Sequence, residues 1–561
     1  MIGGGNLLKN PGSWNALAGA FLFLIWVIFF QGSGIDLVLG FAFLVLVPLL
    51  LEEAVQSAEG SRPEKWLWNV MSCSLPFSAA GMIAISLPSG NEAGWWAAVW
   101  FFYTLLIAFG GFMRLLGRGF GPVEETVIDV GLIYIAIGGG WLVCSSAGWT
   151  GIFPYSETIL QLTVVHYHYA AFVVPLVTGF FGRYRAECNR IRKNFMVTPY
   201  LWLAAGVMAV PFITSPGLSL GAPFTSIAAG IYFLVLVWLC LWWFWLSVYF
   251  KLWIGMALRS ASLLLLGTML LALFTSLNIW LEVYWLQLNT IVGYQGLWIA
   301  SVFSILSALA WRGVHAPKRH AYTVFPISHI RAERGSINPT IDYKPWAASH
   351  EYVTGLVQDW SPFNSRRFHS EYMDSLVKRW FLHTDDFHVQ ASIQWARGFR
   401  SIAGRISQWG LPPSGCVALQ GEAISISDYK DGRNLVRAWI TRNKQTKEPL
   451  NTALYSFHEH AGETYFNIGF PVPHGVLTVI GRLETDGKGG LMLETMRRED
   501  GRGDEGIYFT LGEWTMRLPV RGMFHVKKAE TEGALLGDLC LHLGYINLLH
   551  IQYQMKEIRV G

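Results

Sequence analysis

The stretch LQLTVVHYHYAAFVVPLVTGFFGRYRAECNRIRK, residues 160–193, decides how the rest of the chain is read. An apolar run is followed at once by Arg183, Arg185, Arg190, Arg192 and Lys193. A helix needs about 20 mostly apolar residues to cross about 30 Å of hydrocarbon, and loops rich in Lys and Arg stay on the cytoplasmic side. The run therefore reads as a membrane span that enters from outside near Thr158 and leaves inside near Arg183.

Outward from this span the pattern repeats. Segments 13–31, 35–52, 66–88, 93–115, 123–146, 159–181, 196–214, 222–250, 261–285 and 290–312 read as about ten transmembrane helices. Basic residues recur in alternate loops: Lys9, then Arg62 and Lys65, Arg114 and Arg118, the cluster after residue 182, Lys251 and Arg259, and Arg312, Lys318 and Arg319. Loops 31–35, 89–94, 147–157, 215–222 and 287–290 hold no Lys or Arg. This alternation puts both termini in the cytoplasm. The first span has no small-residue cleavage motif after Gln31 and reads as retained.

Composition agrees. Hydrophobic residues make up 52% and charged residues 14%, against about 25% charged in soluble proteins. The deficit is confined to residues before Trp311. No block of Lys and Arg interleaved with aromatics suggests nucleic acid as a partner. The six cysteines are scattered without CxxC spacing and read as reduced. No cofactor is expected. The partners expected are the lipid bilayer and a small-molecule or ion substrate.

Ionisable groups at membrane depth are expensive, and each is a functional hypothesis. His166 and His168 lie about 10–15 Å along their helix at about 1.5 Å per residue. Residues two apart on a helix point about 200° apart, so the two histidines cannot chelate one ion and must serve two neighbours. Thr163 shares the His166 face. Asp129, inside the fifth span, is the next candidate for a substrate or ion pathway. Glu282 and Asn278, one turn apart near the outer end of the ninth span, complete the set. Glu52, Glu53, Glu124 and Glu125 read as solvated groups at the membrane surface. Trp242, Trp243 and Trp245 read as anchors at the inner leaflet. Pro76, Pro175, Pro211 and Gly138-Gly139-Gly140 interrupt spans, which frees carbonyls where a cavity can use them.

The run Val165-His166-Tyr167-His168-Tyr169-Ala170-Ala171-Phe172, with Pro175 and Gly179 before an Arg-rich loop, resembles the YndJ-like family of bacterial membrane proteins. The family pattern carries His-Gly and Asn-Ala pairs in its last span. Here Tyr294-Gln295-Gly296-Leu297-Trp298-Ile299-Ala300 stands in that place, which makes this a divergent member. The resemblance implies a multi-pass protein of the bacterial plasma membrane followed by a cytoplasmic domain. Its transporter label implies topology rather than a substrate.

Residues 315–363 are polar and turn-rich and read as a linker. Residues 364–561 read as a cytoplasmic, antiparallel β-rich domain, a barrel or sandwich of calycin-like kind. Glu371–Leu382 has helical spacing. Strands are expected at Phe387–Gln394, Val417–Ile426, Asn434–Ile440, Thr464–Phe470, Val476–Leu483, Leu491–Met496, Gly506–Thr510, Met516–Pro519, Met523–Lys527 and Asn547–Met555. His458 and His460, which share a strand face, form half a metal site, with His474 a conceivable third ligand. Three functions compete on this reading. The first is transport of a small molecule or ion with a ligand-sensing β-domain. The second is a membrane-embedded enzyme or redox protein using the span-six histidines. The third is a receptor or scaffold whose β-domain binds a lipid-like ligand or a partner protein.

Overall fold

A computed structural model describes residues 10–30, 32–149, 157–191, 197–221, 223–281, 300–318, 325–332, 346–348, 353–365, 368–396, 414–447, 449–460, 462–472, 474–497, 503–512 and 514–558. The chain divides into two compact units: Met1–Leu115 with Phe120–Ala321, and Leu116–Gly119 with Tyr322–Gly561.

The first unit is helical: α1 Pro11–Phe29, α2 Gly34–Val55, α3 Arg62–Ser72, α4 Ser74–Ser86, α5 Asn91–Arg118, α6 Val123–Ser146, α7 Glu157–Cys188, α8 Val197–Leu220, α9 Phe224–Leu246, α10 Leu252–Leu281 and α11 Ser301–Val314. Seven described helices, α1, α2, α5, α6, α7, α9 and α10, are long and apolar enough to cross a membrane. Helices α3 and α4 form a pair bent by 55°. Pro76 lies in the first turn of α4 and has no N–H to return to the α3 end, so the ladder breaks there. Pro199–Thr214 and Ser301–Val314 are shorter apolar helices.

Helices α2 and α7 share a local device. Each contains one π-helical turn, Ala42–Leu46 and Tyr169–Val173. Each turn runs into a Val-Pro pair, Val47-Pro48 or Val174-Pro175. A proline ring clashes with the carbonyl four residues before it, and widening the preceding turn relieves the clash. Carbonyls in these turns find side-chain donors. The Ser78 hydroxyl donates to the Phe43 carbonyl at 2.7 Å and the Tyr232 hydroxyl to that of Ala170 at 3.4 Å.

Four carboxylates that the sequence suggests are solvated lie buried instead: Glu52, Glu53, Glu124 and Glu125. The tryptophan cluster also divides. Trp245 is exposed, whereas Trp243 is fully buried and packs on Phe303 and Trp311. A belt reading fits only residues that face outward.

In the second unit the short helix α12, Ser375–Leu382, precedes the strands and is started by the Asp374 side chain accepting from the Leu376 amide. Twelve strands follow: β1 Phe387–Trp395, β2 Gly415–Ser425, β3 Arg437–Asn443, β4 Pro449–His460, β5 Glu463–Val472, β6 Gly475–Thr485, β7 Leu491–Glu494, β8 Gly506–Leu511, β9 Trp514–Leu518, β10 Val520–Lys528, β11 Ala534–Leu543 and β12 Ile546–Glu557. All pairings are antiparallel. Strands β1 to β7 meander in order, β10, β11 and β12 continue, and β12 closes on β1. The β8–β9 hairpin pairs with Gly475–Ile480 of β6, on the edge that β7 takes from Arg482 to Thr485, and extends the wall there. A closed barrel of ten strands results, not a sandwich. Inward residues alternate as the pleat requires; on β1 they are Phe387, Val389, Ala391 and Ile393.

Candidate functional site

In the helical unit the sequence candidates fall in different settings. The His168 ring is buried, with Nδ1 2.8 Å from the Val164 carbonyl and Nε2 3.1 Å from the Trp100 indole nitrogen. A carbonyl only accepts and an indole N–H only donates. His168 is therefore the Nδ1–H tautomer with both ring nitrogens occupied. Phe43, in the π turn of α2, packs on His168 and on Trp100 with ring centroids 5.1 and 4.3 Å away. Gly138 makes room for the imidazole, since a Cβ there would lie 2.8 Å from Nδ1. His166 points elsewhere, to the Thr214 hydroxyl at 3.2 Å. Thr163 bonds back to the Ile159 carbonyl at 2.7 Å. Asn278 is half-buried, and its amide nitrogen has no hydrogen-bond partner among the described residues. Glu282 and Tyr294–Ile299 lie outside the described residues.

Asp129 belongs to a buried ionic group. Its carboxylate lies 3.3 Å from Arg114 Nε. Arg114 also donates to Glu125 at 2.8 Å, and Arg183 grips Glu125 through Nε and Nη2 at 2.6 and 2.8 Å. The remaining Arg183 donors reach the Glu53 and Ala54 carbonyls, each at 2.9 Å. Those carbonyls end α2 without intrahelical partners, and a guanidinium there satisfies both them and the helix dipole. Two cations and two anions thus tie α2, α5, α6 and α7 together. A second link joins Arg312 to Glu52 and Ser13. Within the Asp129 group two arginines stand against two carboxylates, so its charges are paired.

The barrel presents a different interior. A cavity of ≈ 450 Å³ lies inside it, within the usual range of about 300–1,000 Å³ for ligand pockets. Its walls are almost wholly apolar, from Ala391 and Ile393 on β1 to Ile551 and Met555 on β12. No Asp, Glu, Lys, Arg or His is among the described lining residues. Thr441, Asn451 and Thr495 are polar, and Tyr455 and Tyr553 are phenols whose burial raises them, Tyr553 to about 12. Both phenols are therefore neutral. Trp380 and Phe381 of α12 close one end, with Trp380 edge-on to Phe387 and Trp439.

The histidines of β4 lie away from this cavity lining. His458 Nε2 and His460 Nδ1 approach one oxygen of Asp504 at 3.1 and 3.0 Å. His458 Nδ1 faces the Asn467 amide. His474 occupies the turn after β5, at the opposite end of that strand. Among the described residues no group of three or more His, Cys, Asp or Glu has the geometry to hold a metal ion.

Comparison with known proteins fits the helical unit. Residues 37–303 match the family described as YndJ-like protein. The Bacillus subtilis (strain 168) protein named "Uncharacterized membrane protein YndJ" is 28% identical over 478 residues, 83% of this chain and 85% of that one. Over residues 37–303 the chain is similar to membrane proteins of the YndJ-like family. An alignment of such length cannot fit within the helical unit, so the YndJ likeness extends into the unit that holds the barrel. No solved structure matches the chain.

Two parts of this YndJ-like chain escape a linear reading. Trp100, the partner of His168, reads as one more apolar residue of a span. Strand β4, which supplies Asn451, Ala453 and Tyr455 to the cavity, is hidden because Pro449-Leu450-Asn451-Thr452 opens it without an apolar alternation. The available signal was Asn451, Ala453 and Tyr455 at period two.

Proposed function

We propose that this protein is a multi-pass membrane protein of about ten spans that binds an apolar, lipid-like molecule inside a calycin-like barrel on the cytoplasmic side. The span count is supported by the seven long helices, the bent α3–α4 pair and the two shorter apolar helices, each of which falls on one segment of the hydropathy pattern. The side follows from the Lys and Arg alternation. The observation that carries the reading is the apolar cavity. Protein interiors are normally close-packed, and a large apolar void forfeits dispersion contacts along its whole lining unless something fills it.

Native mass spectrometry of the full chain released from detergent tests this. A bound apolar molecule is expected, with Ala391→Trp, which fills the void, losing it. Apo protein under every extraction condition, together with unaltered Ala391→Trp spectra, would sink the proposal.

A transport reading draws on the π turns of α2 and α7 and the α3–α4 break, features that recur at functional sites in membrane helices. On this reading His166, with Thr214, is the group to test. Flux of the barrel's ligand across proteoliposomes, reduced by His166→Ala, would support it; equal flux with and without protein would end it.

A further inference from the structure

The two ends of the barrel differ, and the difference orients the ligand. This inference rests on the cavity reading above. The register fixes which turns share an end. Phe387 pairs with Glu557, Lys528 with Leu535 and Thr485 with Leu491 at one end. Trp395 pairs with Leu549, Val520 with Leu543 and Leu419 with Asn443 toward the other.

The first end is a floor. Helix α12 is held there by the Asp374 amide donating to the Gly489 carbonyl at 2.9 Å, in the β6–β7 turn. Arg379 pairs with Glu557. Below Trp380 and Phe381, the segment from Leu356 to Phe368 adds Val357, Trp360 and Phe363 to the same buried cluster. Near this floor the cavity meets Leu483, Leu491, Phe466 and Met555.

The second end is a rim. Its cavity residues Leu518, Val520, Leu541 and Leu548 are only half-buried, and Met523 is exposed. The polar lining also sits here. Thr441 and Asn451 pair across β3 and β4 just below their turn, and Thr495 follows β7 where its hydroxyl accepts from the Gly522 amide at 2.7 Å. Exposed cations stand above them: Lys444 and Lys447 in the β3–β4 turn, and Arg521 at the start of β10. The floor end carries Glu530, Glu532 and Asp486 but also Lys488, Lys528 and Lys556, so its closure by α12 rather than its charge sets it apart from the rim.

An ionised group cannot sit unpaired in an apolar interior. No cation lines the cavity among the described residues, and the deeper phenols are neutral. A charged head therefore belongs at the rim, and a hydrocarbon tail on the floor. The geometry points to a single-chain anionic amphiphile, of long-chain carboxylate type, bound tail-first, with its head at Lys444, Lys447 and Arg521 and its tail end against Trp380 and Phe381.

The test uses the full chain in nanodiscs and two photoreactive long-chain carboxylic acids. One carries a diazirine beside its terminal methyl, the other beside its carboxylate. Peptide mapping is expected to place the first label on Ser375–Leu382 or the β6–β7 strands, and the second on the β3–β4 and β11–β12 ends. The reverse pattern, or the same peptides from both probes, overturns the orientation while leaving the cavity reading intact. Absence of any barrel label displaceable by unlabelled acid overturns both. The double variant Lys444→Glu, Lys447→Glu is expected to weaken labelling by the acids about tenfold and to spare the corresponding methyl esters, because charge complementarity is lost with the fold kept. An equal loss for acids and esters, or no loss for either, refutes the head assignment.

Discussion

The helical unit and the barrel solve opposite packing problems. In the helical unit, key buried polar groups are answered by named partners: Glu125 by two arginines, His168 by a carbonyl and an indole, the α2 carbonyls by Arg183. Glycines mark where helices touch, with Gly138 against His168 and Gly139 against Thr104. The barrel buries apolar side chains around space. A filled polar interior fixes structure, and the hollow apolar one is the feature on which the proposed ligand binding rests. The difference teaches where to look for chemistry, and it moves the search from the span-six histidines to the barrel.

The contrast breaks first if the ionic group in the helical unit proves dispensable. Arg183→Met takes one of its two arginines from Glu125 and strands two helix-end carbonyls, and removing one partner of a buried pair costs about 3–5 kcal/mol. Thermal unfolding in detergent should show the largest loss for this variant. A shift no greater than that of an exposed Lys→Met control would mean the charges are hydrated from elsewhere.

Smaller losses are expected at the histidine. Trp100→Phe leaves the His168 Nε2 acceptor buried without a donor, a cost of about 1–3 kcal/mol. Gly138→Val forces a side chain into the imidazole and costs a similar amount, about 1–3 kcal/mol, as overpacking does in a full core. The barrel supplies the sharpening counterpart. Ala391→Leu adds the same three carbons as Gly138→Val but points into the void, so its stability change should stay within about 0.5 kcal/mol. Ligand occupancy should fall at the same time. Were Ala391→Leu as damaging as Gly138→Val, the barrel would count as packed and the comparison would collapse.

Much of the fold was legible because each unit announces its period. Membrane helices show long apolar runs. Ten of the twelve strands surfaced through alternation and turn residues. Strand β11 did not, because Ala534-Leu535-Leu536-Gly537 reads as helix-forming and then broken, and only pairing with β10 and β12 overrides that propensity. The Val-Pro pairs stood in the sequence, yet the π turns they induce needed coordinates. Burial of Glu52 and Glu125 was illegible for a deeper reason. Their partners Arg312 and Arg183 lie far along the chain, and a carboxylate next to a basic loop looks solvated until the arginine that covers it is placed. The cavity was least legible of all, since an inward apolar residue reads alike in a filled barrel and a hollow one.

The smallest effect concerns the floor. In the β6–β7 turn, Asp486 Oδ1 accepts from the Lys488 and Gly490 amides, each at 2.8 Å, and Oδ2 faces His525 Nε2 at 2.9 Å. Burial pushes this carboxyl up, but the bonds from His525 and the two amides outweigh it and hold the group below the ordinary carboxylate value. A depressed folded value means the native state takes up the proton less readily than the unfolded chain. The contribution is therefore complete above the ordinary carboxylate range and disappears as pH falls through the folded value. Asp486→Asn keeps the shape and removes the titration. At neutral pH it should cost about 0.5–1 kcal/mol, the worth of a typical hydrogen bond. Toward acid the wild type should lose this advantage, so that the two denaturant midpoints converge. A gap that stays constant with pH would show that the turn is held by shape alone. Since the Asp374 amide ties α12 to Gly489 in this same turn, the variant should also loosen the floor under Trp380 and leave the helical unit untouched.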